Sequence, residues 1–271
     1  MNTILRLLHL LLFTAIIVLL SACKQENTAA VEPVAEPPTP DPAVEAAKSV
    51  NSLADRYYAV TLRETPEVAY FSGVELSRHD GMEDNSPSAR QALQTLEDEM
   101  LEELESIDVG TLRGRSEWIT HAYLLQELRA SVAQRICRTD LWNVNQMGGW
   151  HSGYSQIAQL QPVGTSELRE QSLTRWSKMA AYIDQEIVHL GHGMELGYSA
   201  PKSVVQRVID QVDGLLSLEL EKSPFYSPAI RDENEEFAAA TAEIVTNQIY
   251  PALQRYRDFL AGIYMVRARE E

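Results

Sequence analysis

Cysteine is scarce, with Cys23 and Cys137 the only two in 271 residues. Once Cys23 is committed to lipid, as argued below, Cys137 alone can neither close an intramolecular disulfide nor build a cysteine zinc site. Positive charge is also short: 23 Lys and Arg stand against 39 Asp and Glu, a formal net charge of −16. A nucleic-acid partner is therefore not expected, because such binding depends on neutralising phosphates with Lys and Arg. The same imbalance opposes electrostatic adhesion to anionic lipid. None of the six histidines is followed by glutamate, so the His-Glu start of a helical zinc-hydrolase motif is missing. Neither Ser152 nor Ser199 sits in G-x-S-x-G, which removes the usual nucleophile elbow. No alternating strand pattern bounded by turns stands out anywhere.

The amino terminus, MNTILRLLHLLLFTAIIVLLSACKQ, places Arg6 ahead of an apolar run that ends in small residues, the anatomy of a secretory signal. The run from Leu7 to Leu20 is 14 residues, short of the roughly 20 that a spanning helix needs. Leu20-Ser21-Ala22-Cys23 resembles the lipobox of bacterial lipoproteins, which implies cleavage after residue 22 and acylation, palmitate included, at Cys23. Cleavage would remove one basic and no acidic residue, leaving 22 against 39 and a formal charge of −17. The membrane partner is then reached through lipid. Lys24, rather than an inner-membrane-retaining Asp, points to the outer membrane, facing the periplasm. Residues 24–42 hold five of the 12 prolines and no aromatic, so 23–42 reads as a lipid-anchored, disordered tether.

From residue 43 to 271 the pattern is helical, predicting an all-α irregular bundle of six or seven helices. Asp41-Pro42 and Ser86-Pro87 each place a capping side chain before a proline. The first helix, about 42 to 63, carries Val50, Leu53, Tyr57 and Val60 on one face. The next, about 87 to 107, buries Leu93, Leu96, Met100, Leu104 and Ile107, and its run of glutamates reads as a solvated face. A third, about 115 to 137, shows Trp118, Ala122, Leu125, Leu128, Val132 and Ile136 on one side. After a polar, glycine-containing interruption from Thr139 to Thr165, helices are expected at about 166 to 196 and 201 to 220. The second of these turns Val204, Val208, Val212 and Leu215 inward. The last runs from about 232 to 264, with Pro251 as a kink.

Two local patterns carry chemistry. Glu186, His189, His192 and Glu195 stand at three-residue spacing, and Glu186-x-x-His189 matches the ligand spacing of di-metal bundles. A second Glu-x-x-His is needed and none occurs, while Gly191 and Gly193 weaken the helix, so no metal is assigned. The second pattern is Trp142, Asn143, Asn145, Trp150, His151 and Tyr154, which suits a wall facing a peptide substrate. The same composition suits a helix connection packed by its own aromatics, the commoner case. Cys137, beside Ile136, has nothing that marks it as activated.

LWNVNQMGGW (141–150), QLQPVGT (159–165), LGYSAPKSVVQRVIDQVDGLL (196–216), SPFYSPA (223–229) and IYPALQRYRDFLAGIYMVRARE (249–270) together resemble the DUF885 family of bacterial proteins. That resemblance implies a mainly helical protein of about twice this length, with zinc peptidase chemistry in the later half. Family members there show an HExxPGHH-like helix, in which histidines bind zinc and a glutamate activates its water. This chain lacks that motif, so no catalytic residue is carried over and zinc is expected only in a carboxy-terminal half.

The expected function is a lipid-anchored envelope protein resembling the amino-terminal part of such an enzyme and inactive alone. The alternatives are a non-catalytic binding or scaffolding lipoprotein, and an enzyme complete in itself using the Glu186–Glu195 segment. The first reading predicts exposed apolar residues among Ile249, Leu253, Tyr256, Phe259, Leu260, Ile263 and Tyr264, awaiting the missing half or a second copy.

Overall fold

Helices begin where the capping signals stand. In the computed structural model, which describes residues 41–270, Pro42 opens helix α1 (Pro42–Glu64). The signal sequence, Cys23 and nearly all of the tether lie outside the described residues. A short helix α2 (Glu67–Ser72) follows Pro66 and ends on Gly73, whose φ of 69° is the left-handed conformation glycine supplies cheaply. Ser86 then accepts the Ala89 N–H to cap α3 (Pro87–Glu105). Helix α4 (Glu117–Gln134) completes a first group of three long helices. Ala47, Val50, Leu53, Met100, Leu104, Leu112, Leu124 and Leu128 form its core.

The inward face of α4 matches the expected row only in part, at Leu128 and the partly buried Leu125. Leu124, Leu128 and His121 point into the core, whereas Trp118 and Ile136 are exposed at 48% and 84%. Helix α4 carries apolar residues on more than one side, so periodicity could not choose between them. Packing against α1 and α3 together settles the choice, and ion pairs with α3 accompany it: Arg129 reaches Glu105 at 2.6 Å and Arg135, just past the helix end, reaches Glu97 at 3.0 Å. Part of the glutamate run on α3 thus faces a neighbouring helix rather than bulk water.

A second, larger core is built by α5 (Trp150–Leu160), α6 (Ser166–Trp176), α7 (Met179–Glu195), α8 (Lys202–Leu216), the short α9 (Ser227–Ile230) and a long closing helix. Helix α5 lies inside the stretch expected to be non-helical. Its Trp150, Tyr154, Ile157 and Ala158 follow helical spacing, but interleaved Ser, Gly and Gln mask it. The expected helix over 166–196 is broken at Ser177 and Lys178. On α8 the buried row is Val205, Val208, Ile209 and Val212.

The closing helix comprises α10 (Glu235–Ile244), a π turn at Val245–Ile249, α11 (Tyr250–Phe259), a second π turn at Leu260–Tyr264 and α12 (Met265–Arg267). Pro251 is the second residue after the first π turn, where the wider turn accommodates a residue that lacks an N–H. The exposed patch expected here does not form as described. Ile249, Leu253, Tyr256, Leu260 and Tyr264 are buried and Phe259 is partly so, leaving Ile263 exposed at 58%. The helix is packed by α7 and α8 together, and the π turns rotate successive stripes toward them, so one helix buries more than one stripe. Among the described residues there is no strand, only an isolated bridge between Pro201 and Arg269, and no helix is long and apolar enough to cross a membrane.

Candidate functional site

The cleft lies at the seam between the two cores. It encloses about 790 Å³, within the ~300–1,000 Å³ typical of small-ligand sites. One wall comes from α3 and the end of α4, with Arg90, Gln91, Gln94, Gln134 and Arg135, continued by Arg138 and Asp140. The opposite wall is α7, which presents Tyr182, Glu186, His189 and His192 at i, i+4, i+7 and i+10. Glu83 and Asn85 reach in from the loop between α2 and α3, and Asn143 from the connection before α5.

The loop holding Glu83 and Asn85 is ordered by a buried arginine. Arg175 on α6 donates from Nε to the Gly81 carbonyl (2.6 Å) and from Nη1 to Tyr70 Oη (2.6 Å) and Gln161 Oε1 (2.9 Å). Its guanidinium also lies 4.8 Å over the Tyr70 ring, a cation–π contact that helps compensate a cation removed from water. The His79 N–H donates to Gln171 Oε1 (2.7 Å) and Lys178 Nζ to the Asp80 carbonyl (2.9 Å). Nothing in the sequence pattern marks Arg175, because its partners lie on a loop, on α2 and just past the end of α5.

Three separate segments converge on one buried carboxylate. Asn85 Nδ2 donates to Glu186 Oε1 (2.8 Å) and Asn143 Nδ2 to Glu186 Oε2 (3.0 Å). One turn on, His189 Nε2 lies 2.7 Å from the Asn85 carbonyl, which places the ring proton on Nε2. Burial pushes the Glu186 carboxyl above its usual range, although both amides and His189 act against that shift. Glu83 is pushed up to about 7 by burial and by the nearby Glu67 and Glu186 carboxylates. Glu83 therefore exchanges a proton near neutral pH. Behind it, Glu67 Oε1 accepts from the Glu83 N–H and from Tyr154 Oη, both at 3.0 Å, while Glu67 Oε2 is buried without a hydrogen-bond partner.

The six residues read as a wall are spread over different surroundings. Asn143 lines the cleft. Asn145 is exposed, and its Oδ1 accepts the Met147 and Gly148 N–H groups, tying off a turn. Trp142 donates its indole N–H to the Cys137 carbonyl (3.0 Å). Trp150 and Tyr154 are buried in an edge-to-face aromatic cluster with Tyr182, Tyr256 and Trp176, at centroid distances of 4.9 to 6.4 Å. His151 is buried against Gln211 Oε1 (2.9 Å), and burial lowers its pKa, so it is neutral at pH 7.

Of the Glu-His run, Glu186, His189 and His192 line the cleft, while the exposed Glu195 pairs only with His192 at 3.6 Å. Among the described residues no three His, Cys, Asp or Glu side chains are grouped so as to hold a metal ion. The residues present do not fit a zinc centre, so no step is routed through one. The sequence reading missed Glu83, Asn85, Arg90 and Arg138, three of them in loops or turns where no periodicity flags a residue.

Fold and cleft together define an all-α bundle protein with a polar cleft between two cores. The chain belongs to DUF885, described as bacterial protein of unknown function, whose family model matches residues 66–271. No curated protein matches. Among solved structures it is similar to one described as "the putative lipoprotein from Colwellia psychrerythraea", at 14% sequence identity and a TM-score of 0.65. The match covers 85% of this chain and 43% of that one, so this chain spans about half the length of its structural neighbour.

Proposed function

We propose that this protein is a lipid-anchored, peptide-binding component of the bacterial cell envelope, and that its helical domain supplies one side of the substrate site of a peptidase-like enzyme. The anchor is Cys23, and the outer membrane, facing the periplasm, is the proposed location. The cleft carries the reading. Gln91, Gln94 and Gln134 line it without a side-chain hydrogen bond among the described residues, so each offers a donor and an acceptor where a peptide backbone needs both. Arg138 and Glu83, both on its lining, add charges of both signs, which suits a chain with charged termini. Zinc and catalysis belong, in this reading, to a carboxy-terminal half of the kind the family resemblance implies, and this chain alone binds without cleaving.

The test is equilibrium dialysis of the full chain against a randomised tetrapeptide library, with bound and free pools compared by mass spectrometry. Wild type should enrich peptides in the bound pool. Gln91→Ala with Gln134→Ala should reduce the enrichment roughly tenfold, the loss of one or two hydrogen bonds worth about 1 kcal/mol each. No enrichment by wild type would overturn the reading. Enriched peptides recovered cleaved would instead favour an enzyme complete within this chain.

A further inference from the structure

Arg138 stands apart from every other residue in the cleft. Its backbone, at φ 44° and ψ 46°, is left-handed, and it is the sole non-glycine residue with positive φ among those described. A left-handed residue with a Cβ is disfavoured, and a glycine would serve this turn more cheaply. Local packing holds the conformation in place. The Arg138 N–H donates to the Arg135 carbonyl (3.2 Å), the Leu141 N–H donates to the Arg138 carbonyl (2.9 Å), and Trp142 Nε1 pins the Cys137 carbonyl next door. Strain of this kind at a cleft wall is the mark of a side chain kept for what it does rather than for how it folds.

The side chain is correspondingly uncommitted. Arg135, on the same wall, spends its guanidinium on Asp98, Glu97 and the Gln94 carbonyl. Arg90 spends its own on Asp140 at 2.6 Å. Arg138 makes no side-chain hydrogen bond among the described residues, and its one ion pair is a distant 3.8 Å from Nε to Asp140 Oδ1. Asp140, already held by Arg90, fixes the side chain loosely while leaving its terminal nitrogens free. A planar guanidinium with both outer nitrogens open at a cleft mouth matches a carboxylate bidentately. Of the three arginines that line the cleft, it is the one whose guanidinium is not already hydrogen-bonded to a carboxylate.

We infer that Arg138 is the anchor for the free carboxylate of the ligand, so that the cleft takes a peptide by its carboxy terminus. This deepens the peptide-binding reading and rests on it. In that pose the carboxylate meets Arg138, and the preceding backbone passes Gln134, Gln91 and Gln94 toward the Glu83 and Glu186 end.

The randomised tetrapeptides, prepared both as free acids and as carboxy-terminal amides, separate the two ideas. Wild type should retain the free acids roughly tenfold better than the amides, the size of one charge-assisted hydrogen-bonding pair. Arg138→Gly, which suits the left-handed turn, should abolish that preference by lowering free-acid retention to the level of the amides, and should keep or raise the Tm. Arg138→Lys should keep part of the preference. Equal retention of acids and amides by wild type, or a preference that survives in Arg138→Gly, overturns the carboxylate anchor while sparing the peptide cleft. Retention of neither pool by wild type overturns the peptide reading itself, and this inference with it.

Discussion

Replacing Glu83 by glutamine tests the electrostatics of the cleft directly. In the folded protein burial and the Glu67 and Glu186 carboxylates raise this group from an ordinary 4.5 to about 7, with Arg90 acting the other way. Each pH unit between those values is worth about 1.4 kcal/mol. Ionising Glu83 inside the fold therefore costs about 3 kcal/mol more than ionising it in the unfolded chain. The sign follows from a raised carboxyl pKa: the protonated folded state is favoured, so the associated stability is full below about pH 4.5. It is lost as pH rises through about 7. Glutamine keeps the shape and removes the proton equilibrium. Urea unfolding of the full chain and of Glu83→Gln, at intervals from pH 4.5 to 8.5, reads the difference. The variant should match wild type at the acid end and exceed it by about 2 to 3 kcal/mol at pH 8.5. Parallel profiles across that range would refute the argument, since they would mean that Glu83 is hydrated and ionises as freely folded as unfolded.

Gly193 and Gly191 make a matched pair on α7. A Cβ at Gly193 would run into the Leu141 carbonyl, whereas nothing lies within 4 Å of one at Gly191. Gly191→Ala should raise stability by up to about 1 kcal/mol through helix propensity. Gly193→Ala should lose roughly 1–3 kcal/mol to overpacking despite the same gain, read as opposite shifts in Tm. Cys23→Ala should abolish incorporation of labelled palmitate and leave an uncleaved precursor; equal labelling of variant and wild type would reject the lipobox.

Much of the architecture was legible because helices announce themselves. The Ser86 cap, Pro42 at a helix start and the Val50, Leu53 and Val60 face appear in the structure as the sequence pattern implies. What failed did so for a physical reason in each case. On α4 apolar residues lie on more than one side, and the choice of face came from packing against α1 and α3, which no local pattern contains. On the closing helix the argument assumed a uniform α period, and two π turns changed which residues share a face.

The site was harder still. The composition of the 142–154 stretch drew attention to residues that mostly serve packing and turn formation. Of the residues that shape the cleft floor, Glu186 and His189 were visible as a spaced pair, but their meaning depended on Asn85, about a hundred residues away.

That dependence explains why the cleft has a defined shape although it sits between two separate cores. A seam lined only by apolar groups would close, and one lined by unpaired charges would fill with water and drift. Here the loop from α2 to α3 and the connection before α5 are both tied to α7 through Glu186. Buried donors and acceptors that satisfy one another tolerate little displacement, because a broken pair leaves a desolvated group unpaired. Gly193 lets the Leu141 turn approach α7 closely, and Arg90 ties that turn back to α3 through Asp140. The consequence is a cleft whose floor is rigid and polar while its rim, carrying Arg138 and the three glutamines, keeps its hydrogen-bonding capacity unspent. Rigidity below and unsatisfied polarity above is the arrangement in which a bound ligand gains the most from each contact it makes, since the protein has little left to reorganise.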